Sequence, residues 1–220
     1  VTETQQRAKV AGRRLIEAVR ALACKHPIYD ISVAALCQQA GLTRDTFYRY
    51  ASRPIDVLAR AMDEDLPAPE ELLSLLQRSK AASSLEAPGR IVLEHVARNR
   101  AIYRRALHPH LDSALREVLI GRIEALLTGF LQVNPESVPA IGGAHPTTSE
   151  ARRLAVFTAA GIVGAIEDWL AQDQPESLDR MLELLFTAAA PWWRPGLAAG
   201  SPAAGSPVAG SPAAGSPVAG

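Results

Sequence analysis

Apolar residues recur along this chain every three or four positions, and prolines interrupt that pattern wherever a helix would be expected to stop. Alternating β-branched runs and Asn-Gly or Asp-Gly hairpin signals are absent, which excludes sheet-based folds and leaves an all-α chain. The first helix is expected from about Thr4 to Lys25, with Val10, Leu15, Ala18, Val19 and Leu22 on one face and His26-Pro27 ending it. Two short helices should follow, at about 32–39 and 43–50. Pro54 suits a first helical turn, where its missing amide hydrogen has no partner to lose, and opens a fourth helix to about residue 65. Pro67 and Pro69 then break the chain and mark a domain boundary. Helices are expected beyond it at about 70–80, 87–107, 111–132, 149–172 and 175–190. Pro88, Pro109, the Asn134–Pro146 stretch and Pro175 punctuate them, and that stretch is long for a loop in a helical domain.

The 220 residues, 48% apolar and 21% charged, suffice for two domains with real cores. No apolar run approaches the roughly 18–20 residues of a membrane span, and the start does not read as a signal peptide, so no membrane partner is expected. Cys24 and Cys37 cannot build a disulfide framework, which suggests a reducing, cytoplasmic setting. The net charge of zero conceals two opposite halves. Through residue 60 there are ten basic residues against five acidic ones, and 13 against 18 thereafter. A basic end on an acidic body suits a polyanion at one end only. The last twenty residues repeat Ser-Pro-Ala-Ala-Gly-Ser-Pro-Val-Ala-Gly and are expected to be a disordered tail, since proline and glycine disfavour helix and nothing there could drive burial.

Residues 32–51 carry the strongest signal: Ser-Val-Ala-Ala-Leu-Cys-Gln-Gln-Ala-Gly-Leu-Thr-Arg-Asp-Thr-Phe-Tyr-Arg-Tyr-Ala. Ser32 is an N-cap, Val33, Leu36 and Cys37 form an apolar face, and Gly41 stands where a left-handed residue would end the helix. Leu42 reads as a hinge and Thr43 caps the next helix, whose Phe47 and Tyr50 can turn inward. Arg44, Asp45, Tyr48 and Arg49 then project outward, the pattern of a helix-turn-helix. With the helix before it, the segment 9–65 resembles the DNA domain of the TetR (tetracycline-repressor) family. The matching residues are Ser32-Val33, Ala40-Gly41-Leu42-Thr43 and Thr46-Phe47-Tyr48-Arg49-Tyr50, with Leu36-Cys37 in place of Ile-Ala. That family usually carries Phe at the position of Ala51 and a phosphate-contacting Lys near Pro54; neither is present, and Arg53 is the nearest cation.

The resemblance implies a DNA-binding domain at 9–66 and a regulatory and dimerisation domain at 70–196, and the repeat composition adds a disordered tail at 197–220. It places Ser32, Thr43 and Tyr48 against phosphates, with Arg53 able to supply charge there, and Arg44, Asp45, Thr46 and Arg49 over base edges. The chemistry agrees, since Arg pairs bidentately with guanine and hydroxyls reach phosphate oxygens. The expected function is a ligand-responsive homodimeric regulator, a repressor acting on a palindromic operator. A helical protein-interaction or ligand-carrier module that does not use the motif on DNA is the other class left open.

In the second half, Glu94–Arg104 and Phe157–Leu170 look like phrases of one branch of these regulators. The family's last two long helices form a four-helix dimer interface. Here Ala160, Gly161, Gly164 and Ala165 permit close helix approach, and Trp169, Leu178, Met181, Leu182 and Leu185 supply burial. His95, Asn99 and Tyr103 share one helical face, and with Phe130 and Phe157 they form the expected pocket for an unidentified small-molecule effector. No cofactor or metal site is expected: Pro109 spoils the spacing of His108 and His110, and no catalytic motif occurs. Trp192-Trp193 should close the core after the last helix.

Overall fold

The computed structural model describes residues 3–78, 85–138 and 140–193. The tail at 197–220 and the end of the expected second domain lie outside them. Among the described residues the chain is helical, with no β-strand and only two isolated bridges.

Helix α1 (Glu3–Ala23) buries Leu15, Ala18, Val19 and Ala23 against α2 (Val33–Ala40) and α4 (Pro54–Glu64), with α3 (Arg44–Tyr48) completing a small bundle. Helix α4 is apolar on most sides and buried on most sides, with Ile55, Val57, Leu58, Ala61 and Met62 nearly inaccessible. One side packs on α1 and another on α8 (Ser113–Val133), so α4 joins the two halves of the molecule. Helix α5 (Pro69–Arg78) lies along α8, where Gly129 lets Leu73 approach; a methyl group at Gly129 would collide with that leucine.

The helix expected over 87–107 is two helices, α6 (Glu86–Arg98) and α7 (Arg100–Arg105). Asn99 causes the break. Its side-chain amide donates to the His95 carbonyl at 3.0 Å and its backbone N–H donates to the same oxygen at 3.1 Å, a local bond that competes with helix continuation. Arg100 donates to the carbonyls of Leu170 and Gln172, and Arg104 pairs with Asp173, so α7 supplies cations to the carbonyl end of α9 (Thr148–Ala171). Inside α9, the buried Glu167 accepts from the Leu111 backbone N–H at 3.2 Å and from Arg116 Nε at 3.1 Å, and His110 Nδ1 lies 3.3 Å away. That carboxylate is the acidic partner of His110 that a local reading of the sequence misses.

The stretch before α9 is ordered by a short helical turn at Pro135–Ser137, by a two-bond closure between Ile141 and Ala144, and by Gly142 and Gly143 at positive φ. Helix α9 is 24 residues long and contains an 18-residue window of mean hydropathy 1.5, long and apolar enough to cross a membrane by length and composition only. In this fold its inner face packs on α8 and encloses a carboxylate, as in a domain core helix. Helix α10 (Leu178–Ala188), capped by Ser177, packs on α6 and α9. Cys37 is buried and Cys24 is exposed.

Candidate nucleic-acid interface and apolar cavity

The bihelical segment is built by caps. Ser32 Oγ accepts from the Ala35 N–H at 3.1 Å, Gly41 adopts φ +62° to end α2, and Thr43 Oγ1 accepts from the Thr46 N–H at 3.3 Å to start α3. Phe47 is fully buried and anchors α3 to the core. Five residues is a short helix, and the anchor leaves Thr43, Arg44, Asp45, Tyr48 and Arg49 exposed along one side, with Thr46 half-buried. Tyr48 is 61% exposed, with its hydroxyl free to reach outward from the helix. A cleft between α1 and α3 is lined by Arg7, Thr46, Arg49 and Tyr50 together with Ala8, Ala11 and Leu42. Tyr50 lies under the Arg60 guanidinium, 4.8 Å from ring centroid to Cζ, and against Gly12, where an added Cβ would fall 2.6 Å from the ring. Nothing local in the sequence reveals that role of Gly12.

Ser32 is exposed at the start of α2, beside this surface. Arg53 is exposed too, but its guanidinium lies 2.8 Å from Asp56 Oδ1, and its backbone N–H donates to the other oxygen of the same carboxylate at 2.8 Å. In the free protein Arg53 therefore shares its charge with its own helix rather than offering it outright to a phosphate.

A cavity of about 70 Å³ lies between α6, α8, α9 and α10. Val92, Leu126, Leu127, Ile162, Leu185 and Trp193 are among its walls. The polar residues expected to line a pocket are elsewhere. His95 and Tyr103 are both fully buried and bond to each other, Nε2 to Oη at 2.8 Å, while Asn99 Nδ2 lies 3.4 Å from His95 Nδ1. They satisfy one another and do not line the cavity. Burial lowers the His95 pKa to about 4 and raises that of Tyr103, so the pair is neutral at physiological pH. Phe130 is buried beside the cavity and packs against Trp193 with the rings tilted by 49° and their centroids 5.8 Å apart. Phe157 is 80% exposed on the opposite side of α9 and walls nothing.

One side chain joins cavity and DNA-binding half. Arg122 of α8 is 8% exposed and precedes Ile123, a cavity residue. Its guanidinium donates to the Asp63 and Pro67 carbonyls and lies 2.6 Å from Asp63 Oδ1, all at the carbonyl end of α4. From the other side Arg20 of α1 donates to the Ala61 carbonyl at 2.6 Å and pairs with Asp65 at 2.5 Å. Two arginines thus hold the negative end of α4, where a helix dipole favours cations.

No curated protein matches the chain. Residues 90–190 match the family model of a TetR-type transcriptional regulator C-terminal region. The fatty acid degradation regulator FadR from Bacillus halodurans superposes with a TM-score of 0.55 at 16% identity, over 83% of this chain and 94% of that one. A TetR-family transcriptional regulator from Streptomyces coelicolor does so with a TM-score of 0.50 at 12% identity, over 80% and 78%. Residues 90–190 thus carry the C-terminal region of a TetR-type transcriptional regulator, and these solved structures share the fold. The dihydroxyacetone kinase operon activator DhaS has the same fold, with a TM-score of 0.52 at 16% identity over 80% and 92%.

The outer side of α9 and α10 differs from the sequence expectation. Gly161 is exposed, Ala160, Gly164 and Ala165 are half-buried, and a Cβ added at Gly161 or Gly164 meets nothing within 4 Å. Trp169 and Met181, by contrast, face the chain's own core, and Trp169 Nε1 donates to the Glu176 carbonyl at 3.1 Å. Leu182 and Leu185 line the cavity, and Leu178 is half-buried against the core. The exposed apolar groups on this side are instead Val156, Phe157 and Leu184.

Proposed function

We propose that this TetR-type regulator binds an inverted-repeat operator as a homodimer, represses from it, and is released by a small molecule that enters the cavity. The observation that carries the DNA half of this reading is the row of exposed Thr43, Arg44, Asp45, Tyr48 and Arg49 on a helix pinned by the buried Phe47. Arg44 and Arg49 suit guanine O6 and N7, Tyr48 and the capping hydroxyls of Ser32 and Thr43 suit phosphate, and Asp45 and Thr46 suit base edges. A helix this short presents its amino-terminal turn end-on to a major groove. Arg53 joins the phosphate contacts when a phosphate displaces the Asp56 carboxylate.

Dimerisation is proposed through the outer sides of α9 and α10. Phe157 at 80% exposure is the centre of an apolar stripe that includes Val156 and flanks the open glycines. Two-fold symmetry then presents two copies of α3 to two half-sites.

Release follows from the position of α8. A ligand that parts the cavity walls bears on Ile123, Leu126 and Leu127, and Arg122 passes any shift of α8 to the end of α4. The spacing of the two α3 helices then changes. A tenfold to hundredfold loss of DNA affinity needs only about 1.4–2.8 kcal/mol of coupling. DhaS is an activator by its name, so the sign of regulation is read directly from a reporter. The cytoplasm, where DNA is reached, is the proposed location.

Selection from random duplexes tests the DNA half. Recovery of an inverted repeat, with half-sites about one helical turn apart or slightly more, is expected. Recovery of no consensus sinks the proposal.

A further inference from the structure

The cavity has a chemical bias that narrows what can fill it. None of its lining side chains is ionisable, and Thr158 and Trp193 are the lining residues that carry a polar side-chain group. Trp193 is 1% exposed, and its Nε1–H has no acceptor among the described residues. Trp169 Nε1, by contrast, is bonded to a carbonyl. An indole nitrogen only donates, and a buried donor left without a partner is a cost the folded chain carries until an acceptor arrives. A water molecule is a poor remedy, because an ordered water needs two to four polar partners and apolar cavities of this kind stay dry.

We infer that the effector is a compact, uncharged and largely apolar molecule bearing one carbonyl-type oxygen, which accepts a hydrogen bond from Trp193 Nε1–H while aliphatic walls enclose the rest. This rests on the proposed effector role of the cavity and gives its ligand class. A carboxylate or ammonium group is disfavoured because it would lose its hydration with no countercharge in the walls. Size follows from the volume. About 70 Å³ is roughly half of an apolar cavity known to hold a benzene ring, so a six-membered ring enters only by moving the α8 or α10 walls. Occupation is therefore itself the displacement that α8 passes to Arg122.

Three six-membered-ring probes separate the possibilities: cyclohexanone, cyclohexane and cyclohexanecarboxylate, added to the full chain at neutral pH in the absence of DNA. Indole N–H signals are followed by two-dimensional NMR and affinities by titration. Cyclohexanone is expected to bind saturably and move the Trp193 indole proton downfield, leaving Trp169 unchanged. Cyclohexane should bind without the downfield move, and the carboxylate should not bind. Trp193→Phe keeps the ring and removes the donor, so it should weaken cyclohexanone roughly tenfold and leave cyclohexane unaltered. Ile162→Phe, which fills the cavity, should abolish binding of both while the protein still melts cooperatively.

Tighter binding of the carboxylate overturns the ligand class. Equal cyclohexanone affinity in wild type and Trp193→Phe overturns the role of the indole, as does a water already bonded to it. Binding of none of the three overturns the site itself. Because DNA is absent throughout, any of these failures leaves the operator reading standing, and loss of operator binding leaves the ligand class standing.

Discussion

Replacing Arg122 by methionine removes one guanidinium and keeps most of the apolar stem. The arginine is 8% exposed and makes three contacts, to the carbonyls of Asp63 and Pro67 and to the Asp63 carboxylate. Hydrogen bonds to a charged group contribute about 1.5–3 kcal/mol each when one partner is deleted. Two offsets reduce the sum. The cost of burying the guanidinium disappears, and Asp63, whose side chain is 53% exposed, turns back to water. The two carbonyls at the end of α4 are left to whatever water can reach them, so the net loss should be about 2 kcal/mol. For a chain of this size that lowers the melting temperature by roughly 4–8 °C. Asp63→Asn should cost well under half as much, since Arg122 keeps both carbonyls and the lost carboxylate was largely solvated. Denaturant melts of wild type, the two single variants and the double variant give the coupling, expected at about 0.5–1 kcal/mol for the exposed half of the pair. A loss below about 0.5 kcal/mol in Arg122→Met would show that the guanidinium does not hold α4, and the proposed route from cavity to DNA would go with it.

Arg49→Ala should weaken operator binding by about 1–3 kcal/mol and relax preference at one base position, whereas Tyr48→Phe should weaken all sequences alike; competition binding against single-base operator variants separates the two. Phe157→Asp should dissociate the dimer by placing a charge in its apolar stripe, and an unchanged sedimentation coefficient would move the interface elsewhere. His95 gives a pH test. Its folded pKa of about 4 lies below the unfolded value of about 6.5, so the unfolded chain binds more protons between them. Stability should be level above pH 6.5 and fall by about 3 kcal/mol on reaching pH 4 from this group alone, a slope that His95→Gln should flatten.

The helix-turn-helix was legible because its signals are local. Ser32, Gly41 and Thr43 each act on backbone within a few residues, and all three do so as their types dictate. The cavity was not legible. Its walls come from four helices far apart in sequence, and nothing in Val92 or Ile162 alone says which way it faces. The polar spacing of His95, Asn99 and Tyr103 was visible, but polar groups that share a buried face can satisfy each other, and these do. Helix α9 misled for a related reason. It carries apolar residues on both its inner and outer sides, so periodicity could not assign Phe157 to the surface or Trp169 to the core. Trp193 was read as a core plug, and only three-dimensional bonding exposes its unused donor.

The most direct test of the account is the mass and affinity of the complex formed on a selected operator, compared with the same duplex after one half-site is scrambled. Two chains on the intact duplex are expected, with a loss of at least about 1–3 kcal/mol when half the contacts are scrambled. One chain per duplex, or equal affinity for both duplexes, would contradict a two-fold reader of DNA.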